Sequence, residues 1–167
     1  LLRYAAARPE RSAAPASTGR DLLDGAVRQA GAADTDPSWA QGLAGTAAAA
    51  ATLTELPSAT AEFSARLRAA EVGPDLSLGQ GALGALDALT VLAGRGDTPA
   101  AEALTLRTGQ ALAFVEAQGH RCATPDHVPS PGLLTGLSGI GYGLLRLAHP
   151  DTVPSVLLLG HPGRYGN

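Results

Sequence analysis

The chain has 167 residues, 45% of them hydrophobic and 16% charged, with a formal net charge of −3 at pH 7. That is enough apolar material for a buried core, and the mild charge with unclustered Lys and Arg excludes a nucleic-acid footprint. No apolar run approaches the roughly eighteen residues of a membrane span, so none is expected.

A single cysteine, Cys122, rules out an internal disulfide framework and a multi-cysteine zinc site. The start, LLRYAAARPERS, lacks the basic opening and long apolar core of a signal peptide. The two features together lead us to expect a cytoplasmic protein. The sequence contains no methionine, which points to a processed chain or a part of a longer one.

In chain order, LLRYAAAR reads as a short helical piece ended by Pro9, and PERSAAPASTGR as an exposed loop. DLLDGAVRQAGAA carries Leu22, Leu23, Val27 and Ala30 near helical spacing, with Asp21 as an N-cap. TDPSW then turns into SWAQGLAG, and the helix TAAAAATLTEL runs on to Pro57. SATAEFSARLRAAEVG places Phe63, Leu67 and Ala70 on one stripe and ends at Gly73. ALGALDALTVLAGRG aligns Leu83, Leu86, Leu89 and Leu92 and stops at Gly94 or Gly96. TPAAEALTLRTGQALAFVEAQG opens with Thr98 as N-cap and Pro99 at the first position. Its predicted apolar face is Leu104, Leu112 and Val115, with Gly119 as the stop. GLSGIGYGLLRLAH is a last helix with Leu144, Leu145 and Leu147. β-branched alternation is almost absent outside VPSVLLL, so the fold class is all-α.

A repeat runs through this series. QGLAG, QGALG and TGLSG share the form polar-Gly-x-x-Gly, each following a loop and opening a helix. Their first glycines, Gly42, Gly81 and Gly136, stand 39 and 55 residues apart, with one extra helix in each interval. The unit is therefore a helix pair, and the recurring loops converge on one face of an array.

Residues 119–159, GHRCATPDHVPSPGLLTGLSGIGYGLLRLAHPDTVPSVLLL, resemble the C-terminal signature of the LanC-like cyclase domain of lanthionine synthetases. The closest likeness is to class II enzymes of the LanM type. SWAQGLAG is similar to that family's Trp-Cys-x-Gly-x-x-Gly loop, and SLGQGALGALDAL to its Cys-His-Gly loop. The resemblance implies an α/α toroid, here incomplete, built of helical hairpins. It implies a central zinc held by one Cys from the first loop and a Cys-His pair from the second. In that family the zinc activates a peptide cysteine thiolate for addition to a dehydroalanine or dehydrobutyrine, giving a thioether ring.

Carried over position by position, the first zinc Cys falls on Ala40 and the Cys-His pair on Gly79 and Gln80. None of the three is a zinc ligand of the family's kind, and the chain begins after the family's acid–base motifs. The expectation is therefore no metal, no cofactor, no catalytic residue and a chain inactive alone. Zinc-free cyclase-like domains occur in the family's class III synthetases, so ring formation stays open.

Trp39, Gln41, Gln80 and Tyr142 are candidate peptide-binding residues, each with a competing structural role. Trp39 and Tyr142 would pack, and the glutamines would tether their loops. His120, Cys122 and His127 form an H-x-C-x4-H cluster with three potential zinc ligands. Against that, Cys122 reads as a small buried residue, and the family has a similar Arg-Cys-Gly-Thr-Pro segment outside its zinc centre. His149 and His161 read as surface residues, and Asp75 as a turn residue.

These readings divide the chain into N-terminal helices and loop at 1–37, helical-hairpin repeats at 38–159 and a tail at 160–167. They imply a cyclase-like protein of lanthipeptide biosynthesis that binds a precursor peptide or another biosynthetic enzyme. A split cyclase, or a non-enzymatic interaction module, is the alternative. Faces left uncovered by an incomplete toroid imply an oligomer, a hetero-complex or reduced stability.

Overall fold

The computed structural model describes residues 36–52, 57–71 and 75–160, together with Asp21 and Gly25. The expected elements at 1–20, most of the helix at 21–33, the stop at Gly73 and the tail with His161 lie outside the described residues. Asp21, expected as a cap, is already helical. Residues Thr35–Asn167 form a compact unit distinct from Leu1–Asp34.

Five α-helices make up the described part of that unit: α1 (Leu43–Ala51), α2 (Pro57–Ala69), α3 (Ala82–Ala93), α4 (Thr98–Gln118) and α5 (Leu137–Ala148). A single 3-10 turn, Pro125–His127, is added, and no strand occurs among the described residues. VPSVLLL folds into turns instead.

α3 is the hub, packing against α1, α4 and α5. Its predicted stripe, Leu83, Leu86, Leu89 and Leu92, is buried, and so are Ala82, Ala85 and Ala88. A helix buried on every side needs apolar residues all round, and ALGALDALTVLA supplies them. α2 buries Phe63 and Leu67 as its spacing predicts. Its C-terminal carbonyls are capped by Arg107 from α4, which donates to Leu67 O (3.1 Å), Arg68 O (2.7 Å) and Ala70 O (2.6 Å). Desolvation by burial pushes the Arg107 guanidinium below its ordinary pKa.

Four sequence expectations are corrected. α1 stops at Ala51, well before Pro57, because the Thr52 hydroxyl and amide both turn back onto Ala49 O. The cap of α4 is Asp97, not Thr98. Asp97 has the extended backbone a cap needs, and its carboxylate accepts from Ala100 N (2.9 Å) and from Ser64 Oγ of α2 (2.5 Å). α4 faces the core with Ala100 and Ala111, leaving Leu112 49% exposed. α5 buries Gly139, Ile140, Gly143 and Arg146, leaving Leu145 52% exposed. The reason is the same in both helices: small residues let the axes approach α3, and the leucines turn outward.

Candidate functional site

The N-termini of α1, α3 and α5 are preceded by three loops of matching form. In each, the first helical amide donates to the loop residue seven positions back: Leu43 N to Asp36 O (2.8 Å), Ala82 N to Asp75 O (3.0 Å) and Leu137 N to Ser130 O (2.7 Å). Positions 40, 79 and 134 are thereby equivalent. The loops are stitched together through those positions. Ala40 N donates to Gly79 O (2.9 Å), and Gly79 N donates to Leu134 O (2.8 Å). Each loop hands one amide to the next loop's matching carbonyl.

Side chains interlock in the same direction. A Cβ placed on Gly84 would sit 3.1 Å from the Trp39 Cβ of the preceding loop. One placed on Gly139 would sit 3.4 Å from Leu78 Cδ1, again from the preceding loop. Residues 39 and 78 are equivalent, as are Gly84 and Gly139. These glycines are spaces into which the neighbouring loop's side chain fits.

Ala40 and Gly79 therefore meet directly, and Gln80 adjoins them, at the positions where the resemblance places zinc ligands. Zinc takes thiolate, imidazole or carboxylate donors. Ala40 and Gly79 offer no donor side chain, and Gln80 offers a neutral amide. The donor set does not fit the metal. A Cβ on Gly79 would lie 3.2 Å from Leu134 O and 3.5 Å from Leu134 Cβ, so a side chain there needs only a small shift.

Of the candidate residues, Gln41 and Gln80 are exposed beside this seam, and Trp39 is half-buried over Gly84. The loops are tethered by serines: Ser38 Oγ accepts from Gln41 N (3.3 Å), and Ser77 Oγ accepts from Gln80 N (3.2 Å) and Gly81 N (3.0 Å). The two glutamine side chains are left facing solvent. Leu133, Leu134 and Leu137 of the third loop are 46%, 49% and 43% exposed and give the face an apolar side.

Tyr142 lies elsewhere. Its hydroxyl donates to Pro154 O (2.5 Å) and accepts from Val156 N (2.8 Å), clamping the C-terminal turn. Desolvation raises its pKa; Asp87 adds to the rise, and the Val156 bond and Arg146 oppose it.

Cys122 is fully buried, and His127 Nδ1 is 2.8 Å from Cys122 O. No group of three metal-ligating side chains assembles among the described residues. Asp75 is a turn residue, its Oδ1 accepting from Ser77 N (2.8 Å). His149 is exposed.

Sequence reading missed two features. The first is the Asp-x-Ser that opens both early loops. Asp36 Oδ1 accepts from Ser38 N just as Asp75 accepts from Ser77 N, and the repeat DPSWAQG and DLSLGQG was a signal that could have found it. The second is a buried charged cluster. Arg146 Nε donates to Asp87 Oδ1 (2.9 Å), and Ser155 Oγ donates to Asp87 Oδ2 (2.6 Å). Arg146 also donates to Pro150 O (2.6 Å) and to Val153 O. Behind the second loop lies a cavity of about 550 Å³, bounded by Arg68, Leu76, Leu86, Arg107 and Phe114.

The family model described as lanthionine synthetase C-like protein matches residues 21–158. The chain belongs to this family. Its all-helical architecture agrees with the family's helical toroid. No curated protein and no solved structure matches the chain. No helix among the described residues is long and apolar enough to cross a membrane.

Proposed function

We propose that this chain is a cyclase-like protein of lanthipeptide biosynthesis that works without zinc or another cofactor, in the cytoplasm, in the manner of a class II cyclase domain. It binds a precursor peptide, or a partner enzyme carrying one, on the face formed by the three glycine loops. One observation carries the reading. The loops still meet backbone to backbone, with Ala40 N 2.9 Å from Gly79 O, at positions that hold no thiol and no imidazole.

Gln41 and Gln80 supply amide donors and acceptors to a peptide backbone, and Leu133, Leu134 and Leu137 supply apolar contact. Trp39 supports the loop from beneath. Ring formation adds a peptide S–H across the alkene of a dehydroamino acid. The S–Cβ bond forms, the π bond breaks and the thiol proton ends on Cα, with no change of oxidant or reductant. The face contributes by holding thiol and alkene close, an effect that reaches many orders of magnitude in effective concentration when well oriented. The base that takes the thiol proton comes from outside these loops.

The decisive experiment incubates a dehydrated precursor peptide with the chain, alone and with the neighbouring biosynthetic enzymes, and follows loss of free thiol by mass spectrometry. Faster ring closure supports assisted cyclisation; binding without faster closure leaves a scaffold. Absence of binding rejects the reading, as does stoichiometric zinc in the purified chain. The substitutions Ala40→Cys, Gly79→Cys and Gln80→His together are expected to create zinc binding.

A second reading, an interaction module without catalytic function, is favoured by Tyr142. Its hydroxyl is consumed by the C-terminal turn and is not free for chemistry.

A further inference from the structure

The cavity behind the second glycine loop has no part in the loop face. At about 550 Å³ it falls within the roughly 300–1,000 Å³ of sites that hold small organic molecules. Small residues border it where α2, α3 and α4 approach: Ala70, Ala82 and Ala111 leave the space that larger side chains would fill. Its floor is apolar and closed, since Leu76 and Leu86 are each 1% exposed. Leu106, 66% exposed, stands at its mouth.

Two guanidinium groups border this apolar space, and neither has a carboxylate partner among the described residues. The ion pairs there join Arg66 to Glu62 and Arg146 to Asp87. Arg107 gives its Nη hydrogens to the carbonyls of Leu67, Arg68 and Ala70, which supply partial charge only. Burial lowers its pKa, and no counter-charge offsets the lost hydration. Arg68 is held less firmly still, for its Nε is buried with no hydrogen-bond partner. Buried donors are nearly always satisfied, and one that is not calls for a missing acceptor.

The acidic groups at the cavity do not fill that role. Asp75 Oδ1 is committed to Ser77 N (2.8 Å), and Glu71 is exposed. They do make the space unsuited to a doubly charged anion. An apolar floor beside guanidinium groups of uncompensated charge is the recognition chemistry of an organic monoanion. Its hydrocarbon lies on the floor and its carboxylate on an arginine.

We propose that this cavity binds a small carboxylic acid with an aromatic or branched aliphatic body. Arg68 turns its guanidinium edge to the carboxylate, and the charge brought in offsets that of Arg107. The body rests on Leu76, Leu86 and Ala111, with Leu106 over it. The inference rests on the cavity and not on peptide binding at the glycine loops, and its test reads only the cavity.

The test titrates phenylpropionate into the full chain by calorimetry, with the thermal midpoint as a second readout. Saturable binding is expected, with a midpoint that rises as the ligand concentration rises. The neutral phenylpropionamide is expected to bind about tenfold more weakly, because it lacks the charge-assisted bond. Acetate and inorganic phosphate, without an apolar body, are expected to show no binding at the same concentrations. Arg68→Gln is expected to abolish the preference for acid over amide. Leu106→Glu, at an exposed position that leaves the fold intact, is expected to weaken acid binding about tenfold by placing a like charge at the mouth. Absence of saturable phenylpropionate binding to the folded chain overturns the proposal. So does equal affinity for acid and amide, phosphate binding as tight as phenylpropionate, or acid binding that Leu106→Glu leaves unchanged.

Discussion

The first two glycine loops and the third reach the same backbone geometry by different means. Loops 36–45 and 75–84 are held from within: an Asp carboxylate turns the chain, and a Ser hydroxyl collects the amides that follow. Loop 130–139 has Ser130 and Gly132 at those positions, and its internal bonds are different ones, Gly132 N to Ser130 Oγ (3.2 Å) and Ser138 Oγ to Pro131 O (2.7 Å). Its helix is instead fastened from outside, by Arg146 on Asp87 of α3 and by Tyr142 on the C-terminal turn. The comparison teaches that convergence of the loops is required by the packing, while the groups that secure it are interchangeable.

Removing the external fastening is expected to have the largest effect. Arg146→Met leaves Asp87 buried without its counter-charge, and breaking a buried pair from one side costs about 3–5 kcal/mol. Chemical denaturation checks this; a cost below 1 kcal/mol would mean that α5 is held by packing alone.

Filling an interlock comes next. Gly84→Ala forces a Cβ against the Leu78 carbonyl and Trp39, at a cost of about 2–3 kcal/mol as for other overpacked sites. Gly109→Ala, in α4 with nothing within 4 Å, is the control and should stabilise by about 0.5–1 kcal/mol. Thermal midpoints moving in the same direction for both would deny the close approach.

Internal fastening is smaller still. Ser77→Ala strands two amides and Ser38→Ala one, so costs of about 2 and about 1 kcal/mol are expected in that order. Reversal of the order would show that the loops are not equivalent.

The smallest effect concerns pH. The Tyr142 pKa is raised in the folded chain, so the folded state keeps its proton longer than the unfolded state does. The resulting stability is present below the ordinary tyrosine value of about 10 and is lost as pH rises through the folded value. Tyr142→Phe should lower stability at neutral pH yet flatten its alkaline decline; an unchanged alkaline slope would assign that decline to other groups.

Much of the scaffold was legible in the sequence. The glycine loops, the stripe Leu83–Leu86–Leu89–Leu92 and the turn role of Asp75 follow from local spacing and turn chemistry, which need only neighbouring residues. The faces of α4 and α5 were misread because leucine periodicity assumes that the large residues face the core. Here alanine and glycine face it, and only the distance between helix axes decides that. Asp87 and Arg146 lie 59 residues apart, and Ser64 and Asp97 lie 33 apart, so no local pattern joins them. For the candidate site, the positions of Ala40, Gly79 and Gln80 came from the family likeness. Their direct meeting through the backbone could come only from coordinates.

Gly79 uses both its amide and its carbonyl to bind its two neighbours, and neither bond involves a side chain. Side-chain changes at this centre therefore leave its two backbone bonds in place. A cell recognises a damaged protein chiefly by its unfolding, and chaperones and proteases sample the open state. A side-chain change that leaves these bonds closed reaches that surveillance only through whatever stability a bound ligand had added, and is otherwise exposed to selection through its product.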